Sequence, residues 1–137
     1  MTDFLCSNMQ EEDINRMSEL ALAHVGDAVY ELMTRTMLCK EGFSTVQELH
    51  SKTVSLVNAG AQAEAFKVIQ PFLTEEELKI YKRGRNARVY SVPKNASVAD
   101  YHSATGIEVL FGRLYLEGRT GRINELYKLI KEALYVT

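Results

Sequence analysis

LALAHVGDAVYELM at residues 20–33 and ATGIEVLFGRLYLEG at residues 104–118 are the two stretches from which the fold is read. Both place apolar residues every three to four positions, the period of an α-helix packed on one face. Each also carries an acid within that pattern. Around Asp27 stand Leu20, Ala23 and Tyr30, and around Glu108 stand Ala104, Thr105, Phe111, Gly112 and Tyr115. A charge on a core face is costly unless it is paired or bound to a cation, so these two carboxylates are the leading clue to chemistry. Taken singly, each is better explained as a buried acid held by a tyrosine hydroxyl or a helix cap than as a ligand. Taken together they say more: Gly26 precedes Asp27, Gly106 and Gly112 bracket Glu108, and two helices meeting there could approach closely enough for both acids to share one metal ion. A hard cation such as Mg²⁺ needs only one or two carboxylates, because waters and a substrate phosphate complete its shell.

Outward from these stretches the pattern is helical throughout. Ser7 or Asn8 is positioned to cap a first segment, and a longer helix is expected over 14–39, stopped by Gly42. A short third helix over 44–50 has Glu48 three residues after Thr45 as a capping-box signal. An alanine-rich fourth helix over 51–70 is closed by Pro71. Thr74 followed by Glu75, Glu76 and Glu77 marks a fifth helix, since a side-chain oxygen and a negative first turn suit a helix N-terminus, and it runs to Arg83 or beyond. Residues 84–97 read as a long surface loop of Gly, Asn, Pro and Ser. Two last helices over 98–117 and 123–135 are split at Gly118 and Gly121. The run 88–92 has too little alternation to count as a strand, and no repeat or linker divides the chain. The expectation is one all-α domain over residues 1–137.

The formal net charge of −2 exerts no overall pull toward nucleic acid, but its distribution is dipolar. Residues 1–31 hold seven acids against one base, whereas residues 79–94 hold six bases and no acid. Lys79, Lys82, Arg83, Arg85, Arg88 and Lys94, interleaved with Gly84 and Asn86, suit a surface that grips phosphates; a solvated helix end is the plainer account. Long loops in compact domains are usually functional or disordered, which adds weight to the basic reading. Cys6 and Cys39 form no CxxC pair and read as reduced, partly buried thiols. No apolar run reaches the roughly 18 residues of a membrane span, and no secretory signal is visible, so the cytoplasm is the expected location. No Ser-His-Asp or Cys-His arrangement suggests covalent catalysis. His24 and His102, each about one helical turn from the acid stretches, read as packing or surface residues more than as substrate contacts.

LAHVGDAVYE (22–31) followed by IEVLFGRLYLEG (107–118) resembles the paired signatures of ribonuclease III catalytic domains, FLGDAV and EALIGxxYL. With YKRGRNAR (81–88), PKN (93–95) and YHSATGIEVLFGRLYLEG (101–118) in that order, the chain is most similar to the Mini-ribonuclease III subfamily, over residues 17–134. The resemblance implies a ribonuclease III-like helical endonuclease domain and a Mg²⁺-dependent endoribonuclease acting on double-stranded RNA, with Mn²⁺ able to substitute. It places Asp27 and Glu108 on the essential metal-binding acids of the two signatures. It implies RNA contacts from the basic stretch, Lys79, Lys82, Arg83, Arg85, Asn86, Arg88 and Lys94. Ordinary ribonuclease III has further acids where this chain has Ala23 and Thr105, a departure shared with the Mini-ribonuclease III pattern; Glu64 is a loose match to another acid of the family.

The same resemblance implies a homodimer with paired sites along one RNA valley, each cutting one strand to leave a 3′ overhang. Val25, Val29 and Leu32 are interface candidates that core packing would explain equally well. No residues remain for a separate double-stranded-RNA-binding domain, so affinity is expected to come from this domain, with a ribosomal protein as a candidate helper. The implied substrate is precursor ribosomal RNA, at the ends of the 23S species. The alternative is a non-catalytic RNA-binding or ribosome-assembly module that keeps the fold and has lost metal ligands at residues 23 and 105.

Overall fold

A computed structural model of the chain describes residues 2–88 and 91–135. Among the described residues there are seven α-helices: α1 (Glu11–Asn15), α2 (Glu19–Lys40), α3 (Val46–Val57), α4 (Ala59–Ile69), α5 (Glu75–Arg85), α6 (Val98–Leu116) and α7 (Thr120–Leu134). A single 3₁₀ turn, Gln70–Phe72, with Pro71 inside it, joins α4 to α5. No strand occurs among the described residues; of the 88–92 run, Val89 and Tyr90 lie outside them.

Local chemistry explains where these helices start. At Thr74 the hydroxyl accepts from the Glu77 N–H at 3.1 Å while the Glu77 carboxylate accepts from the Thr74 N–H at 2.9 Å, a complete capping box. Thr45 accepts from the Glu48 N–H, which is half of one. The expected 14–39 helix is broken, because Ser18 caps α2 by accepting from the Ala21 N–H at 3.1 Å. The break expected after His50 lies instead at Asn58, whose Oδ1 accepts from the Ala61 N–H at 2.9 Å and so starts α4. Ser7 and Asn8 do not cap α1; that segment is tied to the end of α6, with the Met9 N–H donating to the Leu116 carbonyl at 2.8 Å. α5 takes in Gly84 and Arg85, so the loop begins at Asn86, and α7 starts at Thr120, ahead of the expected residue 123. Gly42 and Gly118, at φ +100° and +78°, end α2 and α6 in a conformation that other residues avoid.

α6 is the hub, packed by α2, α4, α5 and α7. From Ala104 to Leu114 every residue is buried except Glu108. A helix enclosed on all sides needs close neighbours, and small residues supply them. A Cβ on Gly26 would overlap the Glu108 carbonyl oxygen, and one on Gly112 would overlap the Leu22 carbonyl, so α2 and α6 cross with their backbones in contact. Gly106 serves a different crossing: it faces Tyr81 of α5, as Gly84 faces Val109. The core around the hub includes Leu22, Tyr30, Ile69, Ile107, Phe111, Leu114, Leu126 and Ile130. No helix among the described residues is long and apolar enough to cross a membrane.

Candidate active site

The α2–α6 crossing decides where the two acids meet. Asp27 follows Gly26, and Glu108 is the residue whose carbonyl Gly26 touches, so the closest point of the crossing sets both carboxylates together. Asp27 is not on the core face, however: it is exposed. The buried stripe of α2 runs through Leu22, Ala23, Gly26, Tyr30, Thr34 and Met37, and Leu20 is 39% exposed. One helical position turns a side chain by about 100°, so Gly26 occupies the contact and Asp27 its solvent rim. Glu108 is half-buried in the seam. Burial, the Asp27 charge and a hydrogen bond with Asp27 that favours the neutral acid push its carboxyl up to about 8. Gln62 of α4 acts in the opposite direction from close by, although its amide atoms fall short of hydrogen-bonding geometry.

Glu108 opens onto a cavity of about 600 Å³. Its walls include Asn58, Gly60 and Gln62 of α4, Asp100 and Tyr101 of α6, and Pro93, Asn95 and Ala96 of the loop. The loop after the basic helix therefore forms one side of the cavity that Glu108 lines. Lys79, Lys82, Arg83, Arg85, Asn86, Arg88 and Lys94 are all exposed. Arg83 reaches Glu19 of α2 at 3.8 Å, and the Arg85 guanidinium sits 5.9 Å from the centre of the Tyr81 ring.

The other candidates fall elsewhere. Glu64 lies on the solvated face of α4, paired with Lys67 at 3.0 Å. His24 is exposed and His102 half-buried, with no partner for its Nδ1 among the described residues. Val25 and Val29 pack partly against the core, while Leu32 is 60% exposed. Cys6 and Cys39 are free and exposed rather than partly buried, because Cys6 precedes α1 near the N-terminus and Cys39 lies at the end of α2, off the buried face that Met37 and Leu38 occupy. Gln62 and Asp100, which share the cavity with Glu108, carry no signal in the sequence. An amide in an alanine-rich helix and an acid in a helix's first turn both have ordinary explanations.

The donor set suits a hard divalent cation. Two oxygen acids are held together, one of them half-buried and opposed by its neighbour's charge, and a cation between them would relieve both costs. Among the described residues no third His, Cys, Asp or Glu joins them in a metal-holding group, so most of such a cation's shell would be water or phosphate.

Residues 20–119 match the model of the Ribonuclease III domain family. The chain is 43% identical to the Mini-ribonuclease 3 of Clostridium tetani (strain Massachusetts / E88) over 128 residues, 93% of this chain and 85% of that protein. It is 42% identical to the Mini-ribonuclease 3 of Thermoanaerobacter sp. (strain X514) over 121 residues, 88% of this chain and 85% of that protein. The chain belongs to the ribonuclease III family, in its Mini-ribonuclease 3 group. An X-ray crystal structure of a Fusobacterium nucleatum protein has the same fold, with a TM-score of 0.80 at 31% identity, covering 88% of this chain and 98% of that one. Within the Mini-ribonuclease 3 group's pattern, the positions where ordinary ribonuclease III has further acids are closed here. Ala23 and Thr105 are 8% and 5% exposed, and the Thr105 hydroxyl donates to the Tyr101 carbonyl of its own helix at 3.0 Å.

Proposed function

We propose that this chain is a Mg²⁺-dependent endoribonuclease that hydrolyses double-stranded RNA, with Asp27 and Glu108 as cation ligands and catalytic acids. The juxtaposition of those two carboxylates at the glycine crossing carries the reading. When bound, the cation lowers the pKa of an attacking water and offsets charge on the scissile phosphate, and Mn²⁺ can supply the same chemistry. Asp27, on the rim, faces incoming solvent and substrate. Glu108, on the cavity wall, would hold the cation together with Asp27, and the cation's charge would favour its ionised form. Water adds to phosphorus, a P–O bond breaks, and the departing oxygen takes a proton.

Lys79, Lys82, Arg83, Arg85, Asn86, Arg88 and Lys94 form the RNA grip. Their exposure puts the cations within reach of phosphates, and A-form RNA is read mainly through its backbone and 2′-hydroxyls. Residues 93–96 connect that grip to the Glu108 cavity. The biological setting we propose is a cytoplasmic homodimer maturing the ends of precursor 23S ribosomal RNA in ribosome biogenesis, with a ribosomal protein as a candidate partner in presenting the duplex.

One observation favours a second reading, a non-catalytic RNA-binding or ribosome-assembly module: no third acid joins the pair among the described residues. Turnover separates the two. Purified protein with Mg²⁺ is expected to cut a long RNA duplex, and Asp27→Asn is expected to abolish cutting while circular dichroism shows unchanged helix content. Robust cleavage by Asp27→Asn would remove the mechanism, and inactive wild-type protein that still binds duplex in a salt-dependent way would establish the second reading.

A further inference from the structure

Gln62 is 1% exposed, and neither its Nε2 nor its Oε1 has a hydrogen-bond partner among the described residues. Its neighbours along α4, Ala63 and Ala65, are buried and apolar. A buried amide is normally satisfied at both ends, and leucine or methionine would fill a similar volume without the desolvation cost. Packing therefore gives no reason for an amide here. Position does: Gln62 and Glu108 line the same cavity, where α4 closes over α6. The nearby Asn58 is fully occupied, with Oδ1 accepting from the Ala61 N–H and Nδ2 donating to the Val54 carbonyl at 3.1 Å. Gln62 is thus a cavity-wall amide with both a donor and an acceptor to spare, and unlike the exposed Asn95 of the loop it is buried away from solvent.

We infer that Gln62 is a positioning residue of the cation site: its Nε2 donates to the ionised Glu108 carboxylate, and its Oε1 accepts from a water completing the cation's shell. A carboxylate that spends one oxygen on a cation needs a donor on the other to keep its orientation, and such outer partners fix ligand geometry. Burial of the amide gives it one orientation to offer, which suits holding more than contacting substrate. The inference rests on the reading of Asp27 and Glu108 as cation ligands.

The test is calorimetric titration of Mn²⁺ into wild type, Gln62→Leu and Gln62→Glu, with metal-free melting temperatures and the Mg²⁺ dependence of duplex cleavage measured beside it. Gln62→Leu should melt no lower than wild type yet bind Mn²⁺ about tenfold more weakly or worse, and need correspondingly more Mg²⁺ for half-maximal cleavage. Gln62→Glu adds a third carboxylate; it should melt lower without metal and rise further than wild type on adding Mn²⁺. That second variant decides the matter if the leucine variant does not fold. Wild-type Mn²⁺ affinity in Gln62→Leu, or a Mn²⁺-induced rise in Gln62→Glu no larger than that of wild type, overturns the inference while leaving the carboxylate site standing. Failure of wild type itself to bind Mn²⁺ overturns both.

Discussion

Glu77 and Glu108 are both glutamates set among packed helices, and their surroundings are opposite. Glu77 is 1% exposed, and its carboxylate accepts from Arg122 Nε at 2.7 Å, Arg122 Nη2 at 2.8 Å and the Thr74 N–H at 2.9 Å. Arg122 in turn donates to the Phe72 carbonyl at 2.8 Å, which fixes the fork. Burial pushes the Glu77 carboxyl up, but the Arg122 and Thr74 hydrogen bonds and the Arg122 charge outweigh it, and the group sits below its ordinary value. Glu108 has burial and a second acid instead, and is pushed up to about 8. The same fold thus satisfies one carboxylate completely and leaves the other without a counter-charge among the described residues. An acid perturbed by burial and a like charge, in a cleft, is a functional-site candidate in a way that the satisfied Glu77 is not.

Replacing each acid by its amide separates the two roles. Glu108→Gln should lower duplex cleavage by about a thousandfold or more, since a cation misplaced at the phosphate forfeits several kcal/mol of transition-state stabilisation. Single-turnover cleavage with saturating Mg²⁺ measures it. Glu77→Gln should leave Mg²⁺ affinity intact and cost about 3 kcal/mol of stability, because it leaves Arg122, whose side chain is 18% exposed, with only the solvent-exposed Glu125 carboxylate as counter-charge. That loss carries a pH signature. The folded Glu77 carboxyl titrates below the 4.5 of the unfolded chain, so its contribution is complete above that value and disappears as pH falls through the folded one. Urea titrations from about pH 6 to about pH 3 should show the gap between wild type and variant closing toward the acid end. A gap independent of pH would mean that packing, not charge, holds this corner.

The same contrast shows what sequence reveals and what it hides. The Thr74–Glu77 start was legible because a cap and its reciprocal acid lie three residues apart, a purely local signal. So was the meeting of Asp27 with Glu108, because glycines within apolar helices admit close crossings. The side of the stripe on which Asp27 sits was not legible: positions 26 and 27 differ by one step of helical rotation, and only the partner helix chooses between them. Ser18 and Asn58 went unread as boundaries because apolar periodicity continues across both. The Arg122 partner of Glu77 lies 45 residues away, and the unsatisfied state of Gln62 exists only once α4 has closed over α6. These are properties of tertiary contact.

Gly26 links the fold to the site, and a methyl group there tests the link. Gly26→Ala drives a side chain into the Glu108 backbone, so it should cost about 2 kcal/mol and depress cleavage by shifting Asp27 away from Glu108. Gly121→Ala is the control: a Cβ there meets nothing within 4 Å, and the change should be neutral or slightly stabilising, by about 0.5 kcal/mol. Equal melting temperatures for the two variants would show that the crossing is looser than its backbone contact implies.

The metal-free pH dependence bears most directly on why Glu108 is present at all. In metal-free protein its folded carboxyl titrates near 8, above the 4.5 of the unfolded chain, so the folded state holds the proton more tightly and stability declines as pH rises between those values. Glu108→Gln removes that decline. At about pH 8 without metal the variant should be the more stable by up to about 4 kcal/mol, read as a higher melting temperature, and the two should converge below about pH 4. Saturating Mg²⁺ should reverse the order, because wild type gains the binding free energy of a ligand that the variant has lost the means to hold. A variant that melts lower than wild type at every pH, with or without Mg²⁺, would make Glu108 a structural acid like Glu77 and dissolve the contrast between them.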